Sequence, residues 1–168
     1  AEEALVKKIR SKVALNPNPG FKDIKPGLTK DEIGKVSKCW ITTSPKECYG
    51  LDNIKFRGQF STDILHTLYV DLGPIIQGSG ILYTLNEYLG SDSGNIYTKL
   101  YQSFRSKYKL AYEFNERDRQ LFNEGEKTDL YAVFEDGQVA LHIENMKKDY
   151  SSKLMLIVEY RDKDRAKN

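Results

Sequence analysis

The chain reads as an α+β protein in which an antiparallel β-sheet meander packs against helices, and three stretches carry that expectation. DLYAVFEDGQVALHIEN (129–145) sets alternating apolar residues, Leu130, Ala132, Phe134 and Val139, Leu141, Ile143, on two arms around Asp136-Gly137, the pair favoured by a type I′ hairpin turn. KLMLIVEYRD (153–162) keeps the same period, with Leu154, Leu156, Val158 and Tyr160 on one face. Between Asn95 and Lys107 the period changes: Ile96, Leu100 and Phe104 recur at i, i+4 and i+8 with Tyr97 and Tyr101 beside them, which predicts an amphipathic helix.

The remaining elements follow in order. EEALVKKIRSKVAL (2–15) gathers Leu5, Val6, Ile9 and Val13 on one helical face, and NPNPG (16–20) ends it because proline lacks the backbone donor. In KPGLTKDEIGKV (25–36) Thr29 and Glu32 form an S/T-x-x-E capping box, with Leu28 and Ile33 as a staple pair, so a short helix begins at Lys30. NIKFRG (53–58) and DILHTLYVDLG (63–73) read as two strands around a polar turn at Gln59 to Asp63, with Ile64, Leu68, Val70 and Leu72 sharing a face with His66. GPIIQGSG (73–80) and GSDSG (90–94) read as turn-rich segments bracketing ILYTLNEYL, which is strand-like at its start. After the 95–107 helix, LAYEF (110–114) suits a strand, and NERDRQLFNEG (115–125) a short helix closed by Gly125.

At 168 residues the chain suits a single α+β domain over residues 1–168, able to bury roughly two-thirds of its unfolded surface. The order of elements suggests two helix-plus-hairpin halves, 21–75 and 90–162, and a flexible, charge-alternating tail over 162–168. With 26 basic against 24 acidic side chains, well interspersed, no electrostatic footprint for nucleic acid is expected. No apolar run approaches the roughly 20 residues that cross a bilayer as a helix.

No motif points to a cofactor or a catalytic centre. His66 and His142 are the only histidines; each sits mid-strand without a cysteine or acid at ligand spacing, so a structural role is expected and no metal site. GSG at Gly78 to Gly80 has neither lysine nor helix start behind it, and no G-x-S-x-G is present. The eleven tyrosines are the unusual feature, because tyrosine gives interfaces large contact area at low entropic cost. Cys39 and Cys48, in CWITTSPKECYG, are too far apart for a C-x-x-C site and have no second ligand pair. They suit one disulfide in an oxidising compartment or two free thiols in a reducing one; a closed ten-residue loop would stabilise the fold by about 2.7 kcal/mol.

With Gly27, Thr29 and Glu32 opening a helix, and a loop and a hairpin ending in LYVDLG after it, the chain resembles the small bacterial envelope lipoproteins of the SmpA/OmlA type. A tandem version of that layout is similar to the β-lactamase inhibitor protein family, which also carries disulfide-closed loops. The resemblance implies a periplasmic or secreted protein, its signal peptide removed before AEEAL, that works by surface contact as an inhibitor, immunity or assembly protein. The leading expectation is therefore a non-enzymatic exported protein of the cell envelope that binds another protein, with a Cys39–Cys48 disulfide and contacts from Trp40 and Tyr49 of the closed loop and from Tyr97 and Tyr101. A small-ligand carrier with a pocket lined by Phe104, Tyr101 and Leu141 is the alternative, and a hydrolase using His66 or His142 the third.

Overall fold

A computed structural model describes residue 20 and residues 24–36, 48–49, 55–79, 85–90, 95–146 and 151–162. The 2–15 helix, most of the cysteine loop including Cys39 and Trp40, and the 163–168 part of the tail lie outside the described residues. The described elements are α1 (Lys30–Val36), β1 (Cys48–Tyr49), β2 (Lys55–Ser61), β3 (Ile64–Ser79), α2 (Leu85–Leu89), α3 (Ile96–Lys107), β4 (Leu110–Glu113), α4 (Glu116–Asn123), β5 (Asp129–Phe134), β6 (Val139–Asn145) and β7 (Ser151–Arg161).

The strands form one seven-stranded antiparallel sheet in the order β1-β2-β3-β7-β6-β5-β4. Two meanders, β1-β2-β3 and β4-β5-β6-β7, therefore meet along β3 and β7, the last strand of each. Along one face, Phe56, Leu68, Val70, Leu130, Phe134, Leu141, Ile143, Leu156 and Val158 are buried together with Ile33 of α1, Leu85 of α2, Tyr97 and Phe104 of α3 and Phe122 of α4. This is the α+β architecture that the alternating strands and the 95–107 helix predict.

Local chemistry fixes the elements. In the capping box before α1, the Glu32 N–H donates to Thr29 Oγ1 at 3.2 Å and the Thr29 N–H donates back to Glu32 Oε1 at 3.3 Å, while Ile33 is fully buried. Asn95 caps α3 by accepting the Thr98 N–H at 2.8 Å. Asn115 and Asp118 form a second, reciprocal capping box at α4. At the β5-β6 turn the Gln138 N–H donates to the Glu135 carbonyl at 3.0 Å, with Asp136 at φ 52° and Gly137 at φ 98°, the two left-handed residues of a type I′ geometry. Glu135 also has positive φ, 50°, and the start of β4 holds it there: its N–H donates to the Lys109 carbonyl at 2.8 Å and its carboxylate accepts the Lys109 N–H at 2.7 Å.

Three expectations are corrected. The first hairpin turns at Thr62-Asp63, not over Gln59 to Asp63, because β2 stays paired through Ser61 opposite Ile64. The register of that hairpin slips between Gln59 and Phe60, leaving His66 as an extra residue in β3, so Leu65 enters the core fully buried while Ile64 is 45 % exposed. The supposed turn after Gly73 is instead the continuation of β3 to Ser79. Two further irregularities around Pro74 absorb the residues that break the alternation, Gly73 at φ 88° supplies the left-handed backbone, and the Gly73 N–H donates to Asp71 Oδ1 at 2.8 Å. ILYTLNEYL ends in a helix at Leu85–Leu89, while its start, 81–84, expected to be strand-like, lies outside the described residues.

Candidate functional site

Among the described residues the helices pack on one face of the sheet, and the second face carries the residues that the apolar alternation skips. Period two places Arg57 and Gln59 of β2, Thr67, Tyr69 and Asp71 of β3, Asp129 and Tyr131 of β5, His142 and Glu144 of β6, and Met155, Ile157, Glu159 and Arg161 of β7 on this second face. Met155, Ile157 and Glu159 are each no more than 6 % exposed, so β7 is buried on both faces, as befits the central strand joining the two meanders.

His142 is the hub. It is 7 % exposed and its ring stacks on Tyr131 with centroids 4.3 Å apart and planes 14° from parallel. Its Nε2 lies 2.6 Å from Asp129 Oδ1, and the other Asp129 oxygen accepts from Thr128 Oγ1 at 2.8 Å. Its Nδ1 is buried without a hydrogen bond, 3.6 Å from Oε2 of the buried Glu159, a separation too long for such a bond. Arg161 donates to the same Glu159 oxygen at 3.3 Å and places its guanidinium 5.9 Å from the centre of the Tyr131 ring. Burial, with the Glu159 and Asp129 charges adding to it, pushes the Tyr131 hydroxyl up to about 12.

A second arginine–tyrosine stack stands across the face on the other meander. The exposed Arg57 guanidinium lies 4.4 Å from the Tyr69 ring centre, and the Tyr69 hydroxyl donates to Gln59 Oε1 at 3.2 Å. Burial raises the Tyr69 pKa, and the nearby Glu159 raises it further. Beside the Arg57–Tyr69 stack is a concavity of about 240 Å³ lined by Arg57, Tyr69, Asp71, Glu144, Met146, Met155 and Ile157.

The residues expected from sequence to make contacts fare differently. Trp40 and Cys39 lie outside the described residues. Tyr49 and Cys48 form the edge strand β1, paired with Lys55 and Phe56 of β2. Tyr97 is corrected from a contact residue to a core one: it is 4 % exposed, 5.9 Å from the Phe114 ring, and burial pushes its hydroxyl far above the ordinary value. Tyr101 is half-buried, stacked 6.1 Å from Tyr97, and donates to Glu113 Oε2 at 2.7 Å. α3 is rotated relative to the expectation, with Tyr97, Leu100, Tyr101 and Phe104 turned to the sheet and Ile96 52 % exposed. The space reserved for a carried ligand is filled by rings, Phe104 standing edge-on 5.7 Å from Phe134 and 5.6 Å from Tyr108.

His142 faces two carboxylates, and His66 Nδ1 pairs with Thr67 Oγ1, its chain neighbour, at 2.7 Å. No acid at ligand spacing beside His142 was read from the sequence, and sheet pairing supplies Asp129 from β5 and Glu159 from β7. No described helix is long and apolar enough to cross a membrane. In comparison with known proteins, no family model, no curated protein and no solved structure matches the chain.

Proposed function

We propose that the protein is a non-enzymatic binding protein that acts by contact with another protein, and that the second face of the sheet is its contact surface. The observation that carries this reading is the pair of arginine–tyrosine stacks on one face, Arg57 on Tyr69 and Arg161 near Tyr131, with the concavity beside the first. Arginine, tyrosine and methionine are the residues enriched in the cores of protein interfaces, and this face also offers Met146, 38 % exposed. Side chains already held by stacking and hydrogen bonds lose less entropy on association, which favours this face over one of loose side chains.

The wider setting belongs to the same proposal. The resemblance to SmpA/OmlA-type and tandem inhibitor proteins supports an exported, periplasmic or secreted protein of the bacterial envelope, with Cys39 and Cys48 joined and Trp40 and Tyr49 adding to the contact. Register supports the last point: Tyr49 enters the sheet opposite Lys55, two residues from Arg57, at the meander carrying the first stack. Alkylation of protein taken from its native compartment tests the disulfide, since thiols that react without reductant exclude it. The contact surface is tested by capturing a partner from an envelope fraction with the wild type and then measuring its affinity for Arg57→Ala/Tyr69→Ala. Loss of one hot-spot stack lowers affinity by about tenfold or more, whereas an unchanged affinity in a folded variant removes this face from the interface.

A further inference from the structure

From the same face, but independently of any protein partner, we propose that Asp129, His142 and Glu144 form a binding site for a borderline divalent cation, with Zn²⁺ as the best-matched ion. One ligand atom from each of the three lies within 4.8 Å of the other two. An ion about 2.1 Å from each atom holds neighbouring ligand atoms about 3.0 to 3.4 Å apart, so the widest separation need close by only about 1.4 Å. The 2.6 Å contact of His142 Nε2 with Asp129 Oδ1 opens slightly as the ion takes the place of the shared proton. Rotation of the half-buried Glu144 side chain supplies the larger movement.

Two features beyond proximity point to a cation. Asp129 and Glu144 are direct cross-strand partners on one face, an arrangement of like charges that destabilises a sheet unless something positive lies between them. No described residue forms an ion pair or side-chain hydrogen bond with the Glu144 carboxylate, so the strand pairing leaves that charge uncompensated beside Asp129. The second feature is how His142 is held. Its ring is fixed by the Tyr131 stack, Glu159 sits behind Nδ1, and Arg161 secures Glu159. Glu159 lies 3.6 Å behind Nδ1, just beyond hydrogen-bond reach, so a small turn of the ring on binding an ion at Nε2 would bring Nδ1 to the outer-shell carboxylate that orients a metal-binding imidazole.

The donor set selects the ion class. An imidazole and two carboxylates suit Zn²⁺ and its first-row neighbours, whereas Mg²⁺ and Ca²⁺ favour sites made wholly of oxygen. Three protein ligands leave a coordination position for water.

Calorimetric titration of the chelator-treated full chain with ZnCl₂, alongside ¹H–¹⁵N spectra of the histidine rings, tests the site. One Zn²⁺ is expected to bind, the His142 ring resonances to shift, those of His66 to stay, and equal concentrations of Mg²⁺ or Ca²⁺ not to compete. Glu144→Gln and Asp129→Asn, at positions exposed enough to keep the fold, are each expected to weaken binding by at least about tenfold, and Glu159→Gln by about 10- to 100-fold through loss of ring orientation. Unshifted His142 resonances at about 1 mM Zn²⁺ would overturn the proposal irrespective of the variants. So would binding within threefold of wild type in Glu144→Gln or in Asp129→Asn.

Discussion

Neighbouring residues in β3 provide a sharp test of the hairpin register. Simple alternation puts Ile64 in the core with Leu68 and Val70; the irregularity between Gln59 and Phe60 exchanges it for Leu65, which is fully buried, while Ile64 is 45 % exposed. Leu65→Ala removes three buried carbons, costing about 2.4 kcal/mol at about 0.8 kcal/mol each. If about 40 Å³ of the vacated space stays open, the cavity adds about 1 kcal/mol, for a total near 3.4 kcal/mol. Ile64→Ala removes as many carbons from a half-wet position and is expected to cost no more than about 1 kcal/mol. In urea, with a slope of about 2 kcal/mol per molar, these correspond to midpoint shifts of about 1.7 M and at most about 0.5 M. An Ile64→Ala midpoint shift equal to or larger than that of Leu65→Ala would refute the register.

Other consequences are equally direct. Lys127 Nζ lies 2.6 Å from Asp118 Oδ1, and this bond, with the Tyr112 hydroxyl and the Asn115 N–H behind it, holds the Asp118 carboxyl down at about 2. A depressed carboxylate stabilises the fold above its unfolded value of 3.8 and loses that contribution as pH falls toward 2, so acid titration of wild type and Asp118→Asn should show their stabilities converging between about pH 4 and 2. Gly137→Ala forces a side chain onto φ 98° and should cost about 1 to 2 kcal/mol by thermal or urea unfolding. Tyr97→Phe removes a buried hydroxyl that has no hydrogen-bond partner, so stability should be unchanged or rise by up to about 1 kcal/mol; a loss of 2 kcal/mol would show that the hydroxyl is bonded.

The parts of the fold governed by local chemistry were legible in the sequence. Capping at Thr29, the turn at Asp136-Gly137, and the alternating arms of β5, β6 and β7 are each decided by residues within a few positions of one another. Irregularities were not legible, because an extra residue in one strand is set by its pairing partner: His66 and Gly73 disrupt alternation in β3 only once β2 and β7 lie alongside. The same limit explains ILYTLNEYL, where apolar residues suit either element and tertiary packing of Leu85 decides for a helix.

The candidate site was half visible. Counting back from the Asp136-Gly137 turn pairs Phe134 with Val139 and, five steps further, Asp129 with Glu144, so the like-charge pair beside His142 follows from sequence once the turn is trusted. Glu159 and Arg161 do not, since their approach to His142 depends on β7 docking against β6. Apolar Met155 and Ile157 at the outward positions of β7 were a further signal that β7 is buried on both faces, and attention to Leu154, Leu156 and Val158 alone passed over it. The tyrosines misled in part, because α3 turns Tyr97 inward where its ring area contributes more to the core than Ile96 would.

The central claim, that the second face of the sheet is the contact surface, is tested most directly by partner affinity in two matched double variants. Arg57→Ala/Tyr69→Ala dismantles one stack on that face, and Lys99→Ala/Arg105→Ala removes two exposed cations from the helix side. Both should keep the wild-type circular dichroism and melting temperature within a few degrees. The account predicts that affinity for the captured partner falls by about tenfold or more in the first and stays within about twofold in the second; the reverse pattern would place the interface on the helices and contradict it.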